Sequence, residues 1–342
     1  MDYELMARLS NAYGVSGYEQ EIAQIMEKEF KKFKLSVEID KFGNVIAYNK
    51  LGKNPLVLGA HMDEIGLIVK FIDDKGFLRF IKMGGIDDRT LLNQQVVIKT
   101  KNGSINGVIG SKPPHIMKTE ETKNAVEYKS LFIDIGASSK KEAEEMGVEI
   151  GSPICFAATF KRLGKRMAGK ALDNRLGCYI LLELAKDLPD NVILLGTAQE
   201  EVSTFGKGAT IAAYNLEPSA FIAVDTCVAG DHPELKPEDS PIAMDSGPAI
   251  ALIEASGRGN VADKKLVAKL LEIAKKGKHK FQLEVIEGGA TDATSVYNVK
   301  GGIPSIAICV PTRYIHSTVS VASESDVKAT TEFLKDLIKT GV

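Results

Sequence analysis

The stretch NVILLGTAQEEV, residues 191–202, is an apolar run that ends in two adjacent glutamates, Glu200 and Glu201. Two further apolar runs lead into side chains that bind metal ions well, one into His61 and the other into Asp225. Ligands of an open parallel sheet lie just beyond the carboxyl ends of its strands. If these runs are neighbouring parallel strands, their polar side chains meet at one edge of the sheet.

Two more candidate ligands belong to the same pattern. His316 follows the apolar run 306–315, and Asp173 lies at the start of a helix predicted over 172–188. Each residue alone has an ordinary explanation, because aspartate caps helices and glutamate is favoured in a first helical turn. The coincidence of two histidines and four acidic residues favours a metal site. The remaining histidines lie in polar surroundings and are not predicted ligands: His115, His232 and His279.

The ligand types narrow the metal and the chemistry. Histidine and carboxylate ligands without a thiolate suit Zn²⁺, Co²⁺ or Mn²⁺ better than Ca²⁺. Five ligands suit two ions that share Asp173, and such a pair clamps a carbonyl and generates a nucleophile at neutral pH. One glutamate then remains as a general base, and the spacing leaves open whether it is Glu200 or Glu201. Asp63 can orient the imidazole of His61.

Composition excludes several classes of function. Among 342 residues, 44% are hydrophobic and the formal net charge is −2, which predicts a soluble globular protein without a general affinity for nucleic acid or an anionic membrane. No apolar run approaches the roughly 18–20 residues of a membrane span. The first residues, MDYELMARLS, do not resemble a secretory signal. Four scattered cysteines are predicted to be reduced, and the expected location is the cytoplasm.

Apolar strands that alternate with helices predict an α/β fold, a mostly parallel sheet flanked by helices. Residues 67–164 contain short β runs and an Asn-Gly hairpin signal, and they predict an inserted, mainly-β domain of barrel or sandwich type. The α/β domain then comprises residues 1–66 and 165–342. Within the insertion, residues 111–130 are predicted to be a loop. Ser16 and Glu19 stand at capping-box spacing before an amphipathic helix.

These motifs resemble those of a known family. The sequence contains AYGVSGYE near its start, then GAHMDEIG, GVIGSKPPH, GKALDNRLGC, TAQEEV, VDT and RYIHS, in this order along nearly the whole chain. In order and content they are similar to the dinuclear-metal aminopeptidases of the tetrahedral (TET) type, which include glutamyl and deblocking aminopeptidases, and above all to archaeal members. The segment GGATDATSV differs slightly from the GGTDA type expected for the family, which bears on the shape of the substrate pocket.

The resemblance implies a role for each candidate residue. It implies that His61 and Asp225 complete one metal site, that Glu201 and His316 complete the other, and that Asp173 bridges the two. Under this resemblance, Glu200 is the general base and Asp63 orients His61. The resemblance also implies a zinc-peptidase type of α/β fold and a twelve-subunit hollow tetrahedron built from dimers, with the β insertion helping assembly.

The sequence therefore predicts a cytoplasmic metallo-aminopeptidase with two divalent ions per subunit, Zn or Co, that releases N-terminal residues from short peptides. Its expected preference is broad, with a lean to neutral and apolar residues such as leucine. Two alternatives remain open. One is a deacylase or carboxypeptidase on the same metal core, which would not need a free α-amine. The other is a peptide-binding shell whose metals only hold the fold.

Overall fold

The computed structural model describes residues 1–118, 125–202 and 207–341. The described residues contain eight α-helices: α1 (Tyr3–Asn11), α2 (Gln20–Lys31), α3 (Lys140–Glu145), α4 (Leu172–Leu184), α5 (Lys207–Leu216), α6 (Lys264–Gly277), α7 (Asp292–Val296) and α8 (Glu324–Thr340). Short 3-10 turns occur at Asp88–Thr90, Pro114–Ile116, Tyr128–Ser130, Ala185–Asp187 and Ala255–Gly257. Among these residues, no helix combines the length and the apolar character needed to cross a membrane.

Seventeen strands form two sheets within the described residues. Eleven belong to one large sheet: β1 (Ser36–Ile39), β2 (Val45–Tyr48), β3 (Leu56–His61), β10 (Lys161–Leu163), β11 (Arg166–Gly169), β12 (Val192–Thr197), β13 (Ala220–Val228), β14 (Ala249–Ile253), β15 (Gln282–Val285), β16 (Ser305–Arg313) and β17 (Ser320–Ser323). Six form a closed barrel: β4 (Gly66–Ile72), β5 (Leu78–Met83), β6 (Gln95–Thr100), β7 (Gly103–Gly110), β8 (Phe132–Asp134) and β9 (Pro153–Phe156).

The large sheet is mixed, with parallel strands at its centre. Its order is β1-β2-β12-β3-β13-β16-β17-β11-β10, and β14 and β15 extend from β16. The neighbours β12, β3, β13 and β16 run parallel, whereas β2 and β17 pair antiparallel on either side of them. The predicted α/β fold class with an inserted barrel is confirmed, and the flanking strands make the sheet mixed.

The parallel centre is buried on both faces. Along β3, Leu58 and Ala60 pack into a core with α1, α2, α4, α6 and α8, whereas Val57 packs into a second core with α5 and α7. Side chains of a strand alternate between its two faces, so strands covered on both sides read as continuous apolar runs. This explains why the polar residues appear only where each run ends.

The barrel has a separate hydrophobic core and antiparallel pairing throughout. The predicted Asn-Gly hairpin connects β6 to β7, with Thr100 opposite Gly103. Strand β10 already belongs to the large sheet, although it lies inside the predicted range 67–164. In the predicted loop 111–130, residues 119–124 lie outside the described residues. The division of the chain into 1–66 with 165–342 and 67–164 stays a prediction.

The predicted capping box at the start of α2 is wrong. Helix α2 begins at Gln20 with Glu19 as its N-cap, and no side chain caps it. The Ser16 hydroxyl instead donates to Asp63 Oδ2 at 2.6 Å, and the Glu19 carboxyl accepts from the backbone of Gly17 at 2.7 Å. Ser16 thus bonds to a buried aspartate 47 positions further along the chain instead of capping the helix. A local sequence pattern cannot predict a tertiary contact of this kind.

Candidate metal centre

The polar residues that follow the apolar runs lie at one edge of the large sheet. Thr197 at the end of β12 is in register with His61 at the end of β3, and the two strands are parallel. Asp225 lies towards the carboxyl end of the adjacent strand β13, and Glu200 and Glu201 follow β12 by three and four residues. The structure therefore brings the predicted ligands of these three strands together.

A first cluster consists of His61, Asp173 and Asp225. His61 Nε2 lies 3.2 Å from Asp173 Oδ1 and 3.7 Å from Asp225 Oδ1. The three donor atoms all lie within 4.8 Å of one another. His61 is 2% exposed, so this cluster is almost closed to solvent on the histidine side.

A second cluster consists of Asp173, Glu201 and His316. His316 Nε2 lies 3.5 Å from Asp173 Oδ2 and 3.5 Å from Glu201 Oε2, and the three donor atoms again lie within 4.8 Å of one another. Asp173 contributes Oδ1 to the first cluster and Oδ2 to the second. One carboxylate thus connects two sets of three donors.

The start of α4, which carries Asp173, is irregular. The residue that precedes the helix, Ala171, is left-handed, and its side chain does not cap the helix. Asp173 has non-helical angles of φ −79° and ψ 105°, and the Asp173–Asn174 peptide bond is cis. Asn174 accepts from the backbone of Gly177 at 2.9 Å and donates to the Val224 carbonyl at 2.8 Å. Asn174 therefore stabilises this turn and connects it to β13, and sequence reasoning missed it.

Asp63 holds several parts of the centre together. It accepts hydrogen bonds from the Ser16 hydroxyl at 2.6 Å and from the backbone N–H groups of Glu200 at 3.0 Å and Glu201 at 3.1 Å. His61 Nδ1 lies 3.5 Å from Asp63 Oδ1 and 3.2 Å from the Asp63 carbonyl. Burial raises the pKa of the Asp63 carboxyl, but the hydrogen bonds and the charge of His61 outweigh it, so the pKa lies below its usual value.

The barrel also contacts the second cluster. The Gly85 carbonyl, in the segment after β5, lies 3.0 Å from His316 Nδ1. A Cβ atom at Gly85 would lie 2.9 Å from the same nitrogen, and one at Gly84 would lie 3.2 Å from Glu201 Oε2. Only glycine fits this close approach. Sequence reasoning missed both residues, and the available signal was a Gly-Gly pair directly after a barrel strand.

The centre concentrates negative charge in a buried place. Burial raises the pKa of Glu200 well above its ordinary value, and the carboxyls of Asp292 and Asp225 raise it further. Burial also raises the pKa of Glu201 well above its ordinary value, and the carboxyl of Asp173 raises it further. Burial lowers the pKa of His61, but hydrogen bonds to acidic neighbours prevail and raise it well above its ordinary value. A buried group of this composition is stabilised by cations, and its histidine and carboxylate donors fit Zn²⁺, Co²⁺ or Mn²⁺.

A cavity of about 480 Å³ opens onto these residues and is lined by Glu200 and by ligands of both clusters. Residues 288–291 form part of its wall, so the glycine-rich segment noticed in the sequence lies beside the centre. Asp292 follows directly and accepts from the Thr197 hydroxyl at 2.5 Å, while burial raises its pKa to about 7. Sequence reasoning did not single out Asp292.

The other histidines lie outside both clusters. His279 Nε2 lies 2.8 Å from Asp336 Oδ2, and the His232 ring lies beside Tyr314, with 5.4 Å between the ring centres. His115 belongs to the 3-10 turn after β7. Neither donor cluster includes any of the three, and their exclusion as ligands stays a prediction.

Comparison with known proteins decides the family. Residues 43–333 match the M42 glutamyl aminopeptidases. The chain belongs to this family. It is 34% identical to the lysyl aminopeptidase of Pyrococcus furiosus, over 99% of this chain and 97% of the relative.

Solved structures agree with this family. The TET aminopeptidase of the marine sediment archaeon Thaumarchaeota archaeon SCGC AB-539-E09 superimposes with a TM-score of 0.93 at 35% identity, covering 98% of this chain and 95% of that structure. PhTET1-12s, described as a dodecamer, superimposes with a TM-score of 0.87 at 33% identity, covering 99% of each chain. This M42 chain is thus a metal-dependent aminopeptidase, and the predicted resemblance to TET aminopeptidases is confirmed.

Proposed function

We propose that this M42 enzyme binds two divalent ions per subunit and uses them to release N-terminal residues from short peptides. His61 and Asp225 would hold one ion, Glu201 and His316 would hold the other, and Asp173 would bridge them. The observation that carries this proposal is the division of the Asp173 oxygens between two three-donor clusters. A pair of divalent cations carries +4 against −3 from the three carboxylates. When bound, the ions polarise the scissile carbonyl and lower the pKa of water.

Glu200 is the proposed general base. It lines the cavity but belongs to neither donor cluster, so its carboxyl is available for proton transfer. Its carboxylate takes the proton from the attacking water and passes it to the leaving amine. Asp63 holds the backbone of Glu200 and thereby positions its side chain.

We also propose which metals the site binds and which N-terminal side chains it accepts. The donor set supports zinc or cobalt. Three apolar residues of the cavity wall, Val228, Ile286 and Ile315, support broad activity on neutral and apolar N-terminal residues such as leucine. The family is described as glutamyl and one relative as lysyl, so membership by itself does not fix the preferred side chain.

We further propose a cytoplasmic homo-oligomer, a dodecamer built from dimers. The dodecameric PhTET1-12s structure supports this assembly for a similar chain. In this proposal the division into residues 1–66 with 165–342 and residues 67–164 separates the catalytic part from a part that helps assembly. The mass of the native particle in solution tests the number of subunits.

The proposed activity is tested with aminoacyl-p-nitroanilides before and after chelation. Hydrolysis of leucyl-p-nitroanilide should disappear when the metal is removed and return with zinc or cobalt. The N-acetylated substrate should remain intact, because an aminopeptidase needs the free α-amine and a deacylase does not. Full activity after complete metal removal would contradict the proposal. A metal-loaded protein that is inert on every peptide would instead support a peptide-binding shell.

A further inference from the structure

The cavity at the candidate metal centre extends to an acidic residue, Glu284, that the proposed catalysis does not use. Glu284 lies in β15, the outermost strand on its side of the sheet, and it lines the cavity together with Val228, Ile286 and Ile315. The burial pattern of β15 alternates, with Leu283 and Val285 exposed and Glu284 only 8% exposed. A strand that turns a glutamate inwards and two apolar residues outwards reverses the usual arrangement.

One oxygen of the Glu284 carboxyl lacks a partner. Oε2 is buried, and among residues 1–118, 125–202 and 207–341 no group donates a hydrogen bond to it. The Cys227 thiol lies within hydrogen-bonding range of the carboxyl, but a thiol is only a weak donor. The other charged neighbour is Glu254, which is also acidic. A buried carboxyl in such surroundings is unfavourable unless a donor or a cation reaches it.

The position of Glu284 relative to the metal centre follows from β13. Asp225 and Cys227 are two residues apart on this strand, so their side chains point to the same face and their Cα atoms lie about 6.6 Å apart. Cys227 contacts the Glu284 carboxyl and lines the same cavity as Asp225. The Glu284 carboxyl therefore lies in the wall of the same cavity as the candidate ligand Asp225.

We propose that Glu284 binds the cationic end of an N-terminal lysine or arginine side chain, so that this enzyme accepts basic residues as well as neutral ones. The apolar wall formed by Val228, Ile286 and Ile315 contacts the hydrocarbon stem, and the Glu284 carboxylate binds the charged tip. A neutral linear side chain uses the same wall without the ion pair. This inference rests on the proposed aminopeptidase function, since it assigns the side-chain pocket of the same site.

A different role for Glu284 is chemically reasonable and has a distinct consequence. Every substrate of an aminopeptidase carries a free α-amine, and a carboxylate could bind that group instead. Loss of the Glu284 charge would then lower kcat/KM equally for all substrates. If Glu284 binds the side chain, the loss affects basic substrates selectively.

The test compares lysyl-p-nitroanilide with norleucyl-p-nitroanilide, because norleucine has the linear stem of lysine without the ammonium group. Glu284→Gln preserves the shape of the side chain and removes its charge. The ratio of kcat/KM for lysine over norleucine should fall by roughly 10- to 100-fold, as expected for the loss of a hydrogen bond between charged groups. Glu287→Gln is the matched control, because Glu287 is exposed, lies three residues later and is not part of the cavity wall. Its ratio should equal that of the wild type.

An unchanged ratio in Glu284→Gln, or an equal loss for both substrates, would overturn this inference while norleucine hydrolysis by the wild type upholds the proposed function. Absence of hydrolysis of both the lysyl and the norleucyl substrate by the metal-loaded wild type would contradict the proposed function itself. If Glu284→Gln does not fold, inhibition of the wild type by free L-lysine and L-norleucine provides the answer. The inhibition constant of L-lysine should be at least roughly tenfold lower than that of L-norleucine. Equal inhibition constants would overturn the assignment of Glu284.

Discussion

Two buried carboxyls, Asp63 next to His61 and Glu284 in the wall of the cavity, are held in opposite ways. Asp63 accepts hydrogen bonds from a serine hydroxyl and two backbone N–H groups and lies next to a histidine, and its pKa is lowered. Glu284 has a weak thiol neighbour and a buried oxygen without a donor, and burial raises its pKa to about 7. Both oxygens of Asp63 accept hydrogen bonds from the protein, whereas Oε2 of Glu284 can still accept one from a ligand.

This difference separates the residues that position the candidate ligands and the general base from the residue proposed to recognise the substrate side chain. Groups whose hydrogen bonds are complete keep one geometry, as a metal centre and a general base require. A group with an unused acceptor gains most when a ligand supplies the missing donor, and a ligand without that donor leaves it unsatisfied. Substitutions at the metal centre should therefore change the rate for every substrate, and those at Glu284 should change the choice among substrates.

The largest effect is expected for Glu200→Gln. The amide cannot accept the proton of the attacking water, so kcat should fall by about 10²–10⁴ for lysyl and norleucyl substrates alike. The metal content should stay at two ions per subunit, measured by elemental analysis of the purified enzyme. Glu201→Gln is the contrasting variant, because it removes a proposed ligand and should lower the metal content as well. Metal loss in Glu200→Gln, with a full metal content in Glu201→Gln, would reverse the assigned roles.

A smaller effect is expected for Asp63→Asn. The amide nitrogen is a donor and would face N–H groups that now donate to a carboxylate, so the chain around Glu200 and His61 would shift. Changes of this kind around metal ligands typically lower metal affinity about 10- to 100-fold. Titration of the apoenzyme with zinc against a competing chelator measures this loss.

The control for Asp63→Asn is a buried aspartate elsewhere in the fold. Asp326 is 1% exposed and accepts from the backbone of Asp245 at 2.7 Å and of Gly247 at 2.9 Å. Asp326→Asn should lower the unfolding temperature without changing zinc affinity. Equal zinc affinities in the wild type and in Asp63→Asn would show that Asp63 does not position the ligands.

The meeting of the candidate ligands at one edge of the sheet was predictable because the signal repeats along the chain. Apolar runs that end in His61, Glu200 or Asp225 indicate strands whose polar residues meet at one edge, and the structure brings these residues together. The assignment of Glu200 rather than Glu201 as the base came from family resemblance, because adjacent residues at a strand end are equivalent in spacing. Their different surroundings appear only in three dimensions, where Glu201 belongs to a donor cluster.

The features that sequence reasoning missed depend on contacts between distant segments. Gly85 reaches His316 only because the barrel lies against the large sheet, and Ser16 bonds to Asp63 rather than capping a helix. Glu284 left a weak signal, an acidic residue at the inward position of a short strand. Its meaning becomes visible only when the cavity and the missing donor are known.

The smallest effect is a pH dependence of the choice between substrates. The pKa of Glu284 is raised to about 7, so the free enzyme carries a neutral carboxyl below this pH and a carboxylate above it. Since kcat/KM reports the free enzyme, the lysine-to-norleucine ratio should rise roughly tenfold as the pH increases through 7 and then level off. The α-amine and the metal centre titrate identically with both substrates, so their contributions cancel in the ratio.

Other groups that face Glu284 do not account for such a rise. Despite its hydrogen bond with Cys309, burial raises the pKa of Cys227 to about 11, and that hydrogen bond together with burial raises the pKa of Cys309 well above its ordinary value. Glu254 also has a raised pKa from burial, but it remains in Glu284→Gln, where the ratio should be flat with pH. A rise that persists in this variant would assign the titration to Glu254. A flat profile in the wild type would mean that the charge of Glu284 does not control the choice.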